Sequence, residues 1–290
     1  MDGNDGKNWA LEPGLYLVAT PIGNLRDITL RALDTLAAAD VIACEDSRVT
    51  AKLLAAHGIT TPMAPYHEHN AARARPRLIG RIIDGGRVAL VSDAGTPLIS
   101  DPGFKLVANC HENNIPVTVL PGASAPVSAL VLSGLPSDRF LFAGYLAPRT
   151  KARHDQLAAL AEVEATLVLF ESGRRLAAML ADAKDVLGPR PAAVCRELTK
   201  LHEEVVPGDL AVLAKRYDTE GPPRGEIVVV IGPPAASTRD AVSDTELDRQ
   251  LRTAMAHDSL RDGVAAVAEA TGIPRRRVYA RALTLREKAK

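Results

Sequence analysis

The chain has 290 residues, 47% of them hydrophobic and 24% charged, with 35 Lys and Arg against 35 Asp and Glu. That composition excludes an intrinsically disordered chain. The formal net charge of zero excludes a general attraction to nucleic acid, so any such role rests on a local patch. Aromatic residues make up only 3%, which leaves the core to Ala, Val, Leu and Ile, as in parallel sheets covered by helices. Cys44, Cys110 and Cys195 are far apart and form no CxxC pair. This argues against a disulfide framework and a zinc site and fits a reducing cytosol. Residues 1–13 are polar and read as a flexible lead-in without a signal-peptide core. No later stretch approaches the ~20 apolar residues of a membrane span, so the expectation is a cytoplasmic protein with no membrane partner.

From Leu15 onward, apolar runs alternate with amphipathic stretches. LYLVA precedes a predicted helix from Thr29 to Ala38, and VIACED one from Ser47 to His57. VALVSD precedes one from Gly103 to Asn113, and VTVLPG one from Ser124 to Leu132, with MAPYH as a further strand. This alternation predicts a first α/β domain over 14–122, built on a parallel sheet. After about Pro136 the pattern changes. FLFAGYL, TLVLFES, AAVCREL, EEVVPG and GEIVVVIG are predicted strands, with helices from Thr150 to Ala161, Gly173 to Leu187 and Asp209 to Arg216. AAVCREL and EEVVPG stand too close for a crossover helix and must pair antiparallel. A second α/β domain with a mixed sheet is therefore expected over 123–232.

Residues 233–243, rich in Pro, Ala and Ser, read as a linker. Beyond them, 244–290 turns purely helical and resembles a helix-turn-helix module. Leu247 to Ala256 and Leu260 to Ala270 have helical spacing, Gly272 stops the second helix and Pro274 opens a third. From Pro274 to Lys290 there are seven basic residues, Arg275, Arg276, Arg277, Arg281, Arg286, Lys288 and Lys290, against the single acid Glu287. That segment is either an RNA-binding patch or the solvated face of an amphipathic helix.

Three strand ends carry Gly and Pro clusters: Thr20-Pro21-Ile22-Gly23-Asn24, Ser92-Asp93-Ala94-Gly95-Thr96-Pro97 and Leu120-Pro121-Gly122-Ala123-Ser124. Ligands of open α/β sheets lie outside the carboxyl ends of strands. Three such ends in one domain point to a shared cleft rather than three ordinary turns. Neither GxxxxGK[ST] nor GxGxxG after the first strand is present, which disfavours a nucleoside triphosphate or a dinucleotide. An adenosyl ligand without phosphates remains compatible, its adenine in an apolar slot and its amino-acid end on backbone groups.

The order of VATPIGNLRDIT, ACEDSRVT, VSDAGTPLISDPG, LPGASA, FESGRR, CRELTK and RGEIVVVI resembles the tetrapyrrole methylase superfamily. Within it the likeness is to the 16S rRNA (cytidine-2'-O)-methyltransferase family, from about Leu15 to Gly232, with the helical tail also typical of that branch. The resemblance implies an α/β, two-domain, class III methyltransferase fold plus a small C-terminal helical module. It also implies S-adenosylmethionine bound between the domains, and a homodimer acting on the small ribosomal subunit. The reaction would be 2'-O-methylation of a cytidine in 16S rRNA, cytidine 1402.

Carried over by motif, the cofactor would meet the Ser92-Asp93-Ala94-Gly95 turn and Leu98 from the first domain. From the second it would meet Ala123, Ser124, Phe170, Glu171, Gly225, Glu226 and Ile227. Thr20, Pro21 and Gly23 would form the deep floor.

Methyl transfer to a ribose hydroxyl needs in-line alignment and a group to accept the proton. Glu45 and Asp46 end a strand, so alternation sends their carboxylates to opposite faces and one of them into the cleft. Either is a candidate base or orienting group, with Arg48 as an anion clamp. The alternative is that one carboxylate caps the helix near Ser47 and Arg48 pairs with the other. His67, in the polar cluster His67-Glu68-His69-Asn70, is a further catalytic candidate. Two histidines two apart, without a third ligand, argue for RNA-contacting or solvated imidazoles rather than a metal. Arg196 and Lys200 are candidates for the RNA side of the cleft, against a structural Arg196 and Glu197 pair, and Arg174 and Arg175 are open in the same way. The candidate RNA contacts are thus Arg196, Lys200, Arg275, Arg276, Arg277 and Arg281, while Arg174 and Arg175 have the start of a solvated helix as their alternative. Two other functions stay open: a tetrapyrrole C-methyltransferase, which shares the cofactor loops, and a non-catalytic RNA-binding assembly factor.

Overall fold

Parallel pairing dominates the first half of the chain because every strand there is followed by a helix that returns it to the same edge. The computed structural model describes residues 11–235, 244–257, 259–271, 273 and 275–288. The readings above that fall on 1–10, 236–243, Gly272, Pro274 and Lys290 lie outside the described residues. The chain divides between Pro233 and Pro234 into two units.

In the first unit, chain order runs β1 (Gly14–Val18), α1 (Leu30–Ala38), β2 (Val41–Cys44), α2 (Ser47–Ala56), β3 (Met63–Pro65), α3 (Ala71–Ile83), β4 (Arg87–Val91), α4 (Phe104–Glu112) and β5 (Val117–Leu120). These strands form a parallel sheet in the order β3-β2-β4-β1-β5. Its interior strands are buried on both faces, as near-continuous apolar runs such as VIAC require. The carboxyl ends of β1, β2, β4 and β5 therefore point the Thr20, Glu45, Ser92 and Pro121 segments to one edge. Helix α3 was not expected from the sequence. Pro76, Gly80 and four arginines interrupt its apolar spacing, and only Leu78, Ile79 and Ile82 bury.

The chain continues through α5 (Ala125–Leu132), β6 (Phe140–Tyr145), α6 (Thr150–Leu160), β7 (Thr166–Ser172), α7 (Gly173–Leu187), β8 (Pro191–Arg196), β9 (Glu204–Asp209), α8 (Leu210–Glu220) and β10 (Glu226–Ile231). The second sheet has the order β6-β7-β10-β8-β9. Only β6 and β7 are parallel, and β8 and β9 pair antiparallel as their short separation demanded.

The last strand, β10, sits at the centre, and its five buried residues Ile227 to Ile231 contribute about 1.5–3 kcal/mol each to the core. Their alternation splits the two faces. Ile227, Val229 and Ile231 join Leu157, Leu176, Met179 and Leu213 beneath α6, α7 and α8. Val228 and Val230 join Ile22, Ala129, Leu130 and Leu198 beneath α5. This second cluster ties the β1 loop of the first sheet to the face of the second.

The second unit contains α9 (Asp244–His257), α10 (Leu260–Thr271) and α11 (Arg275–Lys288). Leu247, Leu251, Val264, Val267, Ile273, Val278, Ala282 and Leu285 form its core. Among the described residues, no helix is long and apolar enough to cross a membrane.

Candidate active site

Backbone pairing shapes the site before any side chain enters it. Thr20 and Gly95 bridge antiparallel, each N–H donating to the other's carbonyl at 2.9 and 3.0 Å, and the Thr20 hydroxyl donates to the Ser92 carbonyl at 3.2 Å. The ends of β1 and β4 are thereby locked together. Gly95 adopts φ 81°, a left-handed conformation that favours glycine, and a Cβ there would stand 3.4 Å from Ile22. The Thr96 hydroxyl donates to the Ala123 carbonyl at 3.1 Å and joins this turn to the loop before α5. Leu98 (φ 74°) and Ser100 (φ 65°) are left-handed without being glycine, at a cost of order 1–3 kcal/mol each. The two reversals return Ser100 and Asp101 to the mouth of a cavity.

That cavity has a volume of about 370 Å³, within the range of small-molecule sites. Its apolar lining comes from Ile22, Phe170, Leu198, Ile227 and Val228, with Tyr145 at the edge. Phe170 is held edge-on by Phe142, with ring centroids 5.0 Å apart. Polar lining comes from the Asp93 to Thr96 turn, Ser124, Glu226 and three carboxylates of the first domain, Glu45, Asp93 and Asp101.

Burial and the charge of Glu45 push Asp101 up to about 6, against the pull of a Ser92 hydrogen bond. Burial and the Asp93 charge also raise Glu45, with His67 opposing. Asp93 is committed differently, its Oδ1 accepting the Asp46 backbone N–H at 2.9 Å.

The structure sorts the remaining expectations. Strand β2 ends at Cys44, so strand alternation does not govern the next two residues. Glu45 lines the cavity, but Asp46 caps α2 by accepting the Arg48 N–H and is clasped by the Arg48 guanidinium at 2.6 Å. Arg48, with its side chain 87% exposed, is held by that cap rather than aimed into the cavity. His67 is absent from the cavity lining, and its backbone N–H donates to Asn70.

Among the cofactor candidates, Asp93, Ala94, Gly95, Ser124, Phe170, Glu226 and Ile227 line the cavity, whereas Thr20, Pro21, Gly23, Ser92, Leu98, Ala123, Glu171 and Gly225 do not. Thr20 and Ser92 brace the turn from behind. Gly23 lies against Leu198, Thr199 and Lys200, and Gly225 against Glu197. Leu98 turns inward onto Gly103, Ala123 offers its carbonyl to Thr96, and Glu171 is buried beside Arg175.

Two candidate RNA contacts are spent on ion pairs: Arg196 holds Glu204 at 3.1 Å, and Lys200 holds Glu197 at 2.8 Å and Glu226 at 2.9 Å. Arg281 clasps Asp248 across the helical module at 2.6 Å, while Arg275, Arg276 and Arg277 are exposed.

Sequence reasoning missed Asp101, Ile22, Tyr145, Leu198 and Val228. Asp101 had a signal, since it is the second carboxylate of the SDAGTPLISDPG loop. The apolar residues look like ordinary core until the two sheets are brought together.

A parallel five-stranded sheet facing a mixed one across a cofactor-sized cavity is the arrangement of a tetrapyrrole methylase. The model of the Tetrapyrrole (Corrin/Porphyrin) Methylases matches residues 14–214. Uroporphyrin-III-C-methyltransferase from Thermus thermophilus superimposes with a TM-score of 0.55 at 25% identity, over 76% of this chain and 94% of that one. The RsmI C-terminal HTH domain matches residues 241–286. Ribosomal RNA small subunit methyltransferase I of Mesorhizobium japonicum is 50% identical, over 96% of this chain and 94% of the relative. The protein of that name from Synechocystis is 46% identical, over 93% and 98%. The chain belongs to the ribosomal RNA small subunit methyltransferase I family.

Proposed function

We propose that this S-adenosylmethionine-dependent methyltransferase of small-subunit rRNA methylates the 2'-hydroxyl of a cytidine ribose, cytidine 1402 of 16S rRNA. One observation carries this reading: two carboxylates, Glu45 and Asp101, share the wall of a cavity that also offers apolar side chains and a glycine turn.

The residues fit the cofactor. Gly95 keeps the Asp93 to Thr96 backbone open to a ligand, so this turn and Ser124 would hold the amino-acid end, with Ile22, Phe170, Leu198 and Val228 about the adenine. When bound, S-adenosylmethionine supplies an activated methyl group on a positive sulfur. The protein's own task is then to orient a hydroxyl and remove its proton. A carboxylate displaced to about 6 is ionised at neutral pH and still a stronger base than an ordinary aspartate, which suits Asp101 to accept that proton. Glu45, whose charge helps raise Asp101, would orient the ribose.

We place the reaction in the cytoplasm and the working form as a homodimer. The apolar side chains of Val127, Val131 and Leu132, exposed on α5, support a second copy as their cover.

Unmodified small subunits incubated with the protein and tritiated S-adenosylmethionine should gain label in a ribose at one cytidine, mapped by mass spectrometry of nuclease fragments. Label on a base, or on another nucleotide, would overturn the acceptor assigned here.

A further inference from the structure

Helix α3 carries four arginines, Arg73, Arg75, Arg77 and Arg81, and no acidic residue. Arg73, Arg77 and Arg81 recur every fourth residue and so lie along one face of the helix. All three are exposed, and among the described residues none of them makes an ion pair or a side-chain hydrogen bond.

Like charges at this spacing destabilise a helix. Nothing at the start of α3 compensates, since Asn70 provides no side-chain cap to the helix and Pro76 lies within it. Leu78, Ile79 and Ile82 hold α3 to the sheet, so the arginine face is not there to stabilise the fold.

The stripe borders two surface grooves of the first domain, one against β3 and one by the amino ends of β2 and β4. One, of about 220 Å³, is lined by Pro65, Asn70, Arg73, Arg77 and neighbours; the next by Arg77, Arg81 and the Gly85-Gly86 turn. Asp40 and Asp84 also line the second groove; Asp40 is clasped by Arg87 at 2.7 Å and feels the Arg81 charge as well, and among the described residues neither acid forms an ion pair with the stripe.

The stripe also leads somewhere. The Tyr66 N–H, between β3 and α3, donates to the Cys44 carbonyl at 2.7 Å, one residue before the cavity carboxylate Glu45. His67, next in the chain, is near enough to Glu45 to act on its charge. A polyanion lying along α3 therefore approaches the carboxylate end of the cavity.

We infer that the Arg73, Arg77 and Arg81 face of α3 binds backbone phosphates of the RNA substrate and directs the target nucleotide toward Glu45 and Asp101. Guanidinium forks match phosphate oxygens in pairs. In a chain of zero net charge, such an unpaired run is where phosphate attraction can reside. The inference rests on the rRNA reading above and assigns that substrate a surface outside the cavity.

The test is the full-length triple variant Arg73→Gln/Arg77→Gln/Arg81→Gln, assayed on unmodified small subunits between about 50 and 200 mM salt. The KM for subunits should rise at least tenfold with kcat within twofold of wild type, and cofactor affinity should be unchanged. The plot of log kcat/KM against log salt should become shallower by about 2, close to 0.7 for each of three lost phosphate contacts. Relief of like-charge repulsion leaves the melting temperature equal or higher, which separates lost binding from lost folding. An unchanged KM overturns the inference. So does a raised KM with an unchanged salt slope, since the face would then meet a ribosomal protein. If wild-type protein labels no rRNA, the rRNA reading fails and takes this inference with it; wild-type labelling matched by the triple variant removes the inference alone.

Discussion

Charged residues in the two α/β domains are arranged on opposite plans. In the second domain they cancel: Arg196 with Glu204, Lys200 with Glu197 and Glu226, Arg153 with Asp182. The first domain has its pairs too, Arg48 with Asp46 and Arg87 with Asp40, but there like charges also gather without cancelling, as acids in the cavity at Glu45, Asp93 and Asp101 and as bases along Arg73, Arg77 and Arg81. Paired charges hold loops and strands in place, while clustered like charges raise the energy of the free protein and are relieved by a ligand or a proton. The difference assigns architecture to the second domain's ion pairs and chemistry to the first domain's clustered charges.

The largest expected effect comes from removing the carboxylate that this comparison makes chemical. Asp101→Asn should lower kcat/KM by roughly 10²–10⁴, the usual contribution of a positioned base, while binding of the cofactor persists. If the variant keeps more than half of wild-type activity, Asp101 is not the base and the first-domain cluster is structural after all. The counterpart in the second domain should behave the other way round. Glu197→Ala removes the acceptor of the Lys200 ammonium and of the Glu226 N–H, at 2.8 and 2.9 Å. It should cost about 1–2 kcal/mol in denaturant melts with less than a threefold change in kcat. A large kinetic defect without destabilisation would erase the distinction between the domains.

Much of the fold was readable because its signals are local and repeated. Short apolar runs separated by helical stretches identify the parallel sheet, and the brief gap between AAVCREL and EEVVPG identifies an antiparallel pair. Helix α3 was not readable, because its apolar residues are confined to one end and arginines hide the period. In the site, the glycine turn at Asp93 to Gly95 announces itself, but the direction of a side chain after a strand end does not. Asp46 is as acidic as Glu45 in sequence, and only the start of α2 one residue later turns it into a cap. Asp101 depends on two left-handed residues, Leu98 and Ser100, neither a glycine whose presence would mark the bend. Nor does the pairing of Arg196 with Glu204 rather than Glu197 follow from sequence, since β9 must first fold back along β8.

A smaller effect separates the two charge plans through stability alone. Asp101 is raised from 3.8 to about 6 in the native protein, chiefly by burial and then by Glu45. Between those two values the folded chain keeps a proton that the unfolded chain has released, so protonation favours folding. The contribution of Asp101 is thus harmless below about pH 4 and becomes progressively destabilising as pH rises to about 6, after which it is constant. Asp101→Asn lifts this penalty, and after allowance for partial exposure about 1 kcal/mol is expected, or roughly 2–4 °C in melting temperature for a domain of this size. The gain should be present at pH 7.5 and vanish near pH 4. Glu197 has the opposite sign: the Lys200 ammonium and the Glu226 N–H hold its carboxyl below the usual range, so its stabilisation is complete at neutral pH and is lost as pH falls through the lowered value. Melting curves of Asp101→Asn and Glu197→Ala against wild type should therefore shift in opposite directions at pH 7.5 and converge on wild type in acid. Shifts of the same sign would mean that the first-domain carboxylate is as well compensated as the second's, and the contrast between the domains would fall with it.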